Sequence, residues 1–299
     1  MFEGLNVAMV TPFTRKGEIN EDKIREQVRF HLAAGTNGLV PCGTTGETPT
    51  FSQEEHRRVI EIVVEEAGGR AKVFPGTGTN STTKTVANTQ MAKEAGADGA
   101  LVVTPYYNKP TPAGLLAHYS AVAKEGGLPI ILYNVPGRTG TNMLPETVSK
   151  LADIEGVVAI KEASGDISQM EAVILRAGDR ITVLSGDDAM TMPLMAIGGK
   201  GVVSVIGNIL PHDMLALVQA ADSGDWERAR EWHHKLFDLC NAMFYETNPI
   251  PVKTAMNLLG WEMGDVRMPL APMQRANVER LKAAMKAYGR IPEYQAALK

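Results

Sequence analysis

Residues 129–161 read PIILYNVPGRTGTNMLPETVSKLADIEGVVAIK. Two short apolar runs, 129–133 and 157–161, enclose a segment of helical spacing near 145–152, the pattern of a strand, a helix and a second strand parallel to the first. Neither run alternates apolar with polar residues, so both faces of each strand are buried, as in a parallel sheet covered by helices. The same unit recurs on either side. Further strands are expected near 5–10, 37–41, 72–75, 100–103, 181–184 and 201–205. Helices are expected near 21–34, 53–67, 82–95, 113–125, 167–177, 188–196 and 210–222, several with Ser, Thr, Asn or Asp near the start. Eight such units favour closure into a (β/α)8 TIM barrel over 1–222, an open doubly wound sheet being the alternative. The remainder, 223–299, shows helical patterns at 225–244, 251–259 and 271–288. No strand signal or Ser/Gly-rich linker interrupts it, so a helical appendage on one barrel is expected.

Composition narrows the function classes. With 44% hydrophobic and 21% charged residues the chain can bury a large aliphatic core, which excludes intrinsic disorder. A net charge of −4 without a block of like charge leaves no footprint for nucleic acid or anionic lipid. No apolar run approaches the roughly 18 residues a membrane helix needs, and the N-terminus lacks an export pattern. Cys42 and Cys240 are too few for a disulfide framework or a four-thiolate zinc site, which fits the reduced cytoplasm.

In an α/β barrel the chemistry sits at the C-terminal ends of the strands. Lys161 closes the apolar run Val157–Ile160, where partial desolvation makes a neutral amine available to attack a carbonyl. The bland reading is a lysine that snorkels to solvent or pairs with Glu162. Tyr133 ends the preceding strand, and Tyr107 follows the one before it. Their phenols can face one mouth and pass protons, with Thr44 as a bridge, although a tyrosine at such a place also serves as an amphipathic core residue. The Gly43–Gly46 turn leaves backbone N–H groups free for a carboxylate, and no phosphate loop of the GxxxxGK[ST] type is present. Small anionic ligands fit better than nucleotides.

Other features carry less. Gly198–Gly201 precedes the last strand and so belongs to the opposite, stability face, where a turn is the simpler reading. Gly76-Thr77-Gly78 lacks the third glycine of a dinucleotide fingerprint. Asp187 and Asp188 have no ligand-spaced histidines or acids near them and read as helix caps. His233 and His234 leave different faces of one helix and cannot share a metal, and His212 reads as a helix N-terminal residue.

GTTGE at 43–47, TPYYN at 104–108, YNVPGRTG at 133–140, KEASGD at 161–166 and NPIPVK at 248–253 together resemble the dihydrodipicolinate synthase family over nearly the whole chain. GTTGE and the strand-six lysine are shared with the wider group of pyruvate-dependent aldolases, whereas PGRTG is more specific. The resemblance implies that Lys161 condenses with pyruvate and that Thr44, Tyr107 and Tyr133 form a proton relay, Tyr107 serving the neighbouring subunit. It further implies that Thr45 holds the pyruvate carboxylate, that Arg138 holds the carboxylate of L-aspartate 4-semialdehyde, and that Gly186 and Val203 make backbone contacts. A homotetramer built of dimers, no metal or other cofactor, and a place in diaminopimelate and lysine biosynthesis go with it. His56, Asn80 and Tyr106 match an inhibitory lysine site between subunits, but Gln53 replaces a frequent histidine and Lys84 a glutamate. That reversal of charge leads to the expectation of weak or absent lysine inhibition.

Three rival functions remain on the residues alone. A sugar-acid lyase is disfavoured by Arg138, which suits a short partner bearing a carboxylate. A barrel that only binds 2-oxo acids has no need of Lys161. A glycosidase using Glu47 and Glu162 lacks aromatics to stack sugars, and strand alternation turns Glu162 away from Lys161.

Overall fold

The computed structural model describes residues 2–289, so the last part of the 223–299 region, 290–299, lies outside the described residues. Among the described residues the strands are β1 (Gly4–Ala8), β2 (Gly38–Val40), β3 (Lys72–Val73), β4 (Ala100–Val103), β5 (Ile130–Asn134), β6 (Val157–Glu162), β7 (Thr182–Ser185) and β8 (Gly201–Ser204). The helices are α1 (Glu21–Ala33), α2 (Gln53–Ala67), α3 (Thr82–Glu94), α4 (Pro112–Gly126), α5 (Pro136–Thr139) and α6 (Pro145–Leu151). They continue with α7 (Ile167–Ala177), α8 (Thr191–Ala196), α9 (Pro211–Asp222), α10 (Trp226–Ala242), α11 (Ile250–Leu258) and α12 (Arg275–Tyr288).

The strands pair in parallel in the order β3-β2-β1-β8-β7-β6-β5-β4. The two ends meet just beyond β3, where Leu101 N–H donates to Pro75 O at 2.9 Å and Thr77 N–H donates to Leu101 O at 3.0 Å. This closes the (β/α)8 barrel and removes the open-sheet alternative. Period-two alternation sends buried residues inward, among them Ala8, Val40, Leu101, Ile131, Tyr133, Ala159, Leu184 and Val203, with Phe74 standing just past β3. Phe2 packs edge-on against Phe74 with ring centroids 4.9 Å apart. The outward residues pack under the helices, which is why the strands read as unbroken apolar runs.

Capping follows the polar residues at the helix starts. Asn20, Ser81, Thr111, Asp166 and Asp225 each accept a backbone N–H of the helix they open, and Ser52 with Glu55 makes a reciprocal capping box. The helix α5 was not expected: Pro-Gly inside PGRT reads as a turn, but Pro136 takes the first helical position, where its missing N–H costs nothing. α12 starts at Arg275 rather than 271. The helices after 222 pack on α8, α9 and the turns at 188–190 and 206–208 through a second apolar layer containing Trp261, which is buried and lies edge-on to Phe30 at 4.8 Å. Burial of such a side chain stabilises by about 1.5–3 kcal/mol.

Candidate active site

β5 and β6 set the site, because their register places Tyr133 beside Lys161. Lys161 is only 6% exposed, and its Nζ lies 4.3 Å from the Tyr133 ring centroid. Pairing with Glu162 is excluded by the pleat: Glu162 faces the helices, where its carboxylate accepts from Asn134 Nδ2 at 3.0 Å and Ser164 N–H at 2.7 Å. Burial raises the pKa of that carboxyl. Gly186 follows β7 and comes close to the lysine. A methyl group there would meet Ala163 Cβ at 2.6 Å and Lys161 Cε at 3.1 Å, so only glycine lets the lysine stem pass.

The turn after β2 is bracketed by Cys42 and Glu47, both in the left-handed region at φ 57° and 59°. Such non-glycine strain persists only where the surroundings over-determine it. Here they do. Thr11 Oγ1 donates to Gly46 O at 2.8 Å, Thr48 Oγ1 donates to Gly43 O at 3.2 Å, and Gly46 N–H donates to Gly43 O at 3.1 Å. Among the described residues the N–H groups of Thr44 and Thr45 have no protein acceptor, as a carboxylate cradle requires.

Thr44, Thr45, Tyr133, Arg138, Lys161 and Gly186 line one cleft of about 120 Å³, joined by Val135, Ala163, Asp187, Val205, Phe244 and Asn248. Arg138 stands exposed on α5 at its rim and donates from Nη2 to Asn248 O at 3.2 Å. Two expected members are not among these lining residues. Tyr107 lies beyond the end of β4 at φ 73° and is 89% exposed, so it does not share the mouth with Tyr133 within one chain. Val203 is fully buried in the barrel interior, and Val205 is the residue after β8 that lines the cleft.

The residues matched to an inhibitor site lie outside this cleft. His56 is buried with Nε2 2.9 Å from Gly76 O, and burial holds its pKa below the ordinary value. Asn80 O accepts from Asn108 Nδ2 at 2.8 Å, Tyr106 is partly exposed, and Lys84 is exposed in the first turn of α3. Gln53 donates to Asn88 Oδ1 at 3.1 Å.

Asp187 caps the following turn by accepting from Ala189 N–H at 2.9 Å, as its position suggested. Asp188 does something different: it is buried and accepts from Val205 and Ile206 N–H at 2.9 Å each, and desolvation pushes its pKa up to about 6. Gly198 borders a wider depression at the opposite end of the barrel, where Arg180 is already tied to Asp153 and Ser149. No cluster of three or more His, Cys, Asp or Glu fit to hold a metal occurs among the described residues.

Sequence reasoning singled out NPIPVK at 248–253 but gave none of its residues a role. Asn248 Nδ2 donates to Thr45 Oγ1 at 3.0 Å, and Lys253 on α11 donates to Glu47 Oε1 at 2.8 Å in an ion pair whose side chains are 2% and 0% exposed. Glu47 Oε2 accepts from Arg267 N–H at 2.8 Å. Lys253 ends the apolar Ile250–Val252 run much as Lys161 ends its strand, and that signal was readable. The Asn248 contact had none.

The family model of the Dihydrodipicolinate synthetase family matches residues 1–288. The chain belongs to that family. It is 56% identical to the 4-hydroxy-tetrahydrodipicolinate synthase of Geotalea daltonii over 96% of this chain and 99% of the other. The dihydrodipicolinate synthase of Aquifex aeolicus superposes with a TM-score of 0.94 at 47% identity, covering 96% of this chain and 98% of that one. The chloride-inhibited dihydrodipicolinate synthase of Acinetobacter baumannii, complexed with pyruvate, gives 0.95 at 42% identity, covering 97% and 99%. Membership in the dihydrodipicolinate synthetase family accords with a closed barrel carrying C-terminal helices. No helix among the described residues is long and apolar enough to cross a membrane.

Proposed function

We propose that the protein condenses pyruvate with L-aspartate 4-semialdehyde to give 4-hydroxy-tetrahydrodipicolinate, on the diaminopimelate route to lysine. The observation that carries this reading is Lys161, buried against the Tyr133 ring in the same cleft as Thr44, Thr45 and Arg138. The amine adds to the pyruvate ketone and water leaves, giving an imine that acts as an electron sink. Loss of a methyl proton then yields an enamine whose carbon attacks the aldehyde carbon. The semialdehyde's own amine attacks the imine carbon and displaces Lys161 as the ring closes. The free N–H groups of Thr44 and Thr45 suit the pyruvate carboxylate, and Arg138 at the rim suits the second carboxylate. Tyr133 and Thr44 are the proton-passing groups within one chain.

Borohydride added with pyruvate is expected to fix a stable adduct on the peptide holding Lys161, and pyruvate with the semialdehyde is expected to give the cyclic product in a coupled assay. Capture only on other lysines, Lys253 included, overturns the assignment.

Tyr107 belongs in the site of a second copy, which makes the working unit at least a dimer, in a tetramer built of dimers in the cytoplasm. Its 89% exposure and left-handed backbone support this, since a strained, exposed aromatic at a strand-end loop is one held ready for a contact. Mixing inactive Tyr107→Phe and Lys161→Ala protomers should restore part of the activity once subunits exchange, because some sites then receive one good copy of each residue. Exchange without recovery rejects a shared site.

A further inference from the structure

We propose that Asn248 is the positioning residue that couples the two substrate subsites, so that the C-terminal region completes the active site. The inference rests on the reading above, in which Thr45 faces pyruvate and Arg138 faces the semialdehyde. Asn248 is 5% exposed and lines the cleft between them. Its side-chain Nδ2 donates to Thr45 Oγ1 at 3.0 Å, and its main-chain carbonyl accepts from Arg138 at 3.2 Å. One residue therefore touches both anion-binding groups.

The direction of the first bond matters. A hydroxyl has one proton and two lone pairs. With Asn248 donating to the oxygen, the Thr45 proton stays available for the pyruvate carboxylate. An acceptor at position 248 would capture that proton and turn a lone pair toward the anion. The second bond uses the main chain, so any residue at 248 retains it. The segment is fixed from behind by the buried Lys253–Glu47 pair, which ties α11 to the turn carrying Thr45. Asn248 Oδ1 is buried without a partner, so the bond to Thr45 is the one hydrogen bond this side chain makes among the described residues.

These bonds separate the effects on the two substrates. Asn248→Ala deletes the donor and keeps the carbonyl. The pyruvate concentration giving half-maximal borohydride capture on Lys161 should rise roughly 5-fold to 30-fold. KM for the semialdehyde should change less than the pyruvate half-saturation, because the main-chain carbonyl that meets Arg138 is kept. Asn248→Asp is nearly isosteric but places a negative acceptor between Thr45 and Arg138. It should raise the pyruvate half-saturation by more than Ala does, on the order of 100-fold, and raise KM for the semialdehyde as well, because its carboxylate competes for the guanidinium. A space-filling role predicts the reverse order, with Asp close to wild type.

Thr45→Val provides the internal check. If Asn248 acts through the Thr45 hydroxyl, Asn248→Ala adds little to a Thr45→Val background, and the pair is non-additive. This cycle reads pyruvate capture on folded protein, with thermal unfolding recorded alongside to show that each variant is folded. Additive effects, or an Asp variant that captures pyruvate like wild type, overturn the proposal. The wild-type arm separates the two readings. Capture on wild-type Lys161 with unchanged half-saturation in both variants rejects the Asn248 assignment alone. No capture on wild type rejects the proposed reaction and the assignment with it.

Discussion

Arg138→Ala keeps the capture of pyruvate on Lys161 and loses the second half of the reaction. Truncating one partner of a charge-assisted hydrogen bond costs about 2–5 kcal/mol, which corresponds to roughly 30-fold to several thousand-fold in kcat/KM for the semialdehyde. Arg138 stands exposed at the open rim of the cleft, which puts the effect toward the lower end. The loss is local because little of the fold rests on this side chain. Its hydrogen bond runs to Asn248 O, and α5 is set by Pro136 and by Gly140 N–H donating back to Pro136 O at 2.9 Å. Arg138→Lys should recover only part of the activity, since a single ammonium cannot reproduce a planar bidentate contact. The measurement is steady-state kinetics varying the semialdehyde at saturating pyruvate, with borohydride capture as the control. Unchanged efficiency with the semialdehyde removes Arg138 from substrate recognition, and loss of capture places it on the pyruvate side.

The barrel was legible because burial on both faces writes strands as continuous apolar runs and helices as amphipathic spacings, and each recurs in the same order. β4 over 100–103, α2 over 53–67 and α7 over 167–177 follow the sequence to the residue. The short α5 escaped because four residues cannot show a period, and Pro136-Gly137 has the chemistry of a turn as much as of a helix start. The cleft was legible where strand order alone assembles it, as for Tyr133 and Lys161 on paired strands. It was not legible where distant chain segments meet. Asn248 and Thr45 are 203 residues apart, and no periodicity connects them. Tyr107 shows the limit of reasoning from strand ends: β4 stops at Val103, and a left-handed turn carries the ring away from the mouth that the strand addresses.

The segment that carries Asn248 also carries the largest stability effect. Lys253→Met should destabilise the protein by about 3–5 kcal/mol, because it leaves the carboxylate of Glu47 buried with the Arg267 N–H as its remaining donor. Desolvation lowers the pKa of Lys253 to about 8 despite the attraction of Glu47, so at neutral pH the amine is still charged and the pair is ionic. Its ammonium also lies 4.0 Å from the Phe13 ring centroid, a contact that methionine keeps only as packing. The attraction and the desolvation cost of such a pair nearly offset each other, whereas removing one partner leaves only the cost. That asymmetry gives the test its sign. The double variant Glu47→Gln with Lys253→Met removes both charges at similar volume and should return to within about 1–2 kcal/mol of wild type, or exceed it. Midpoints of urea unfolding at pH 7 and fixed protein concentration measure all three proteins. A Lys253→Met midpoint close to wild type shows that Glu47 is not paying for burial through Lys253. A double variant as unstable as the single one shows that lost packing around α11, rather than the unpaired carboxylate, is the source of the instability.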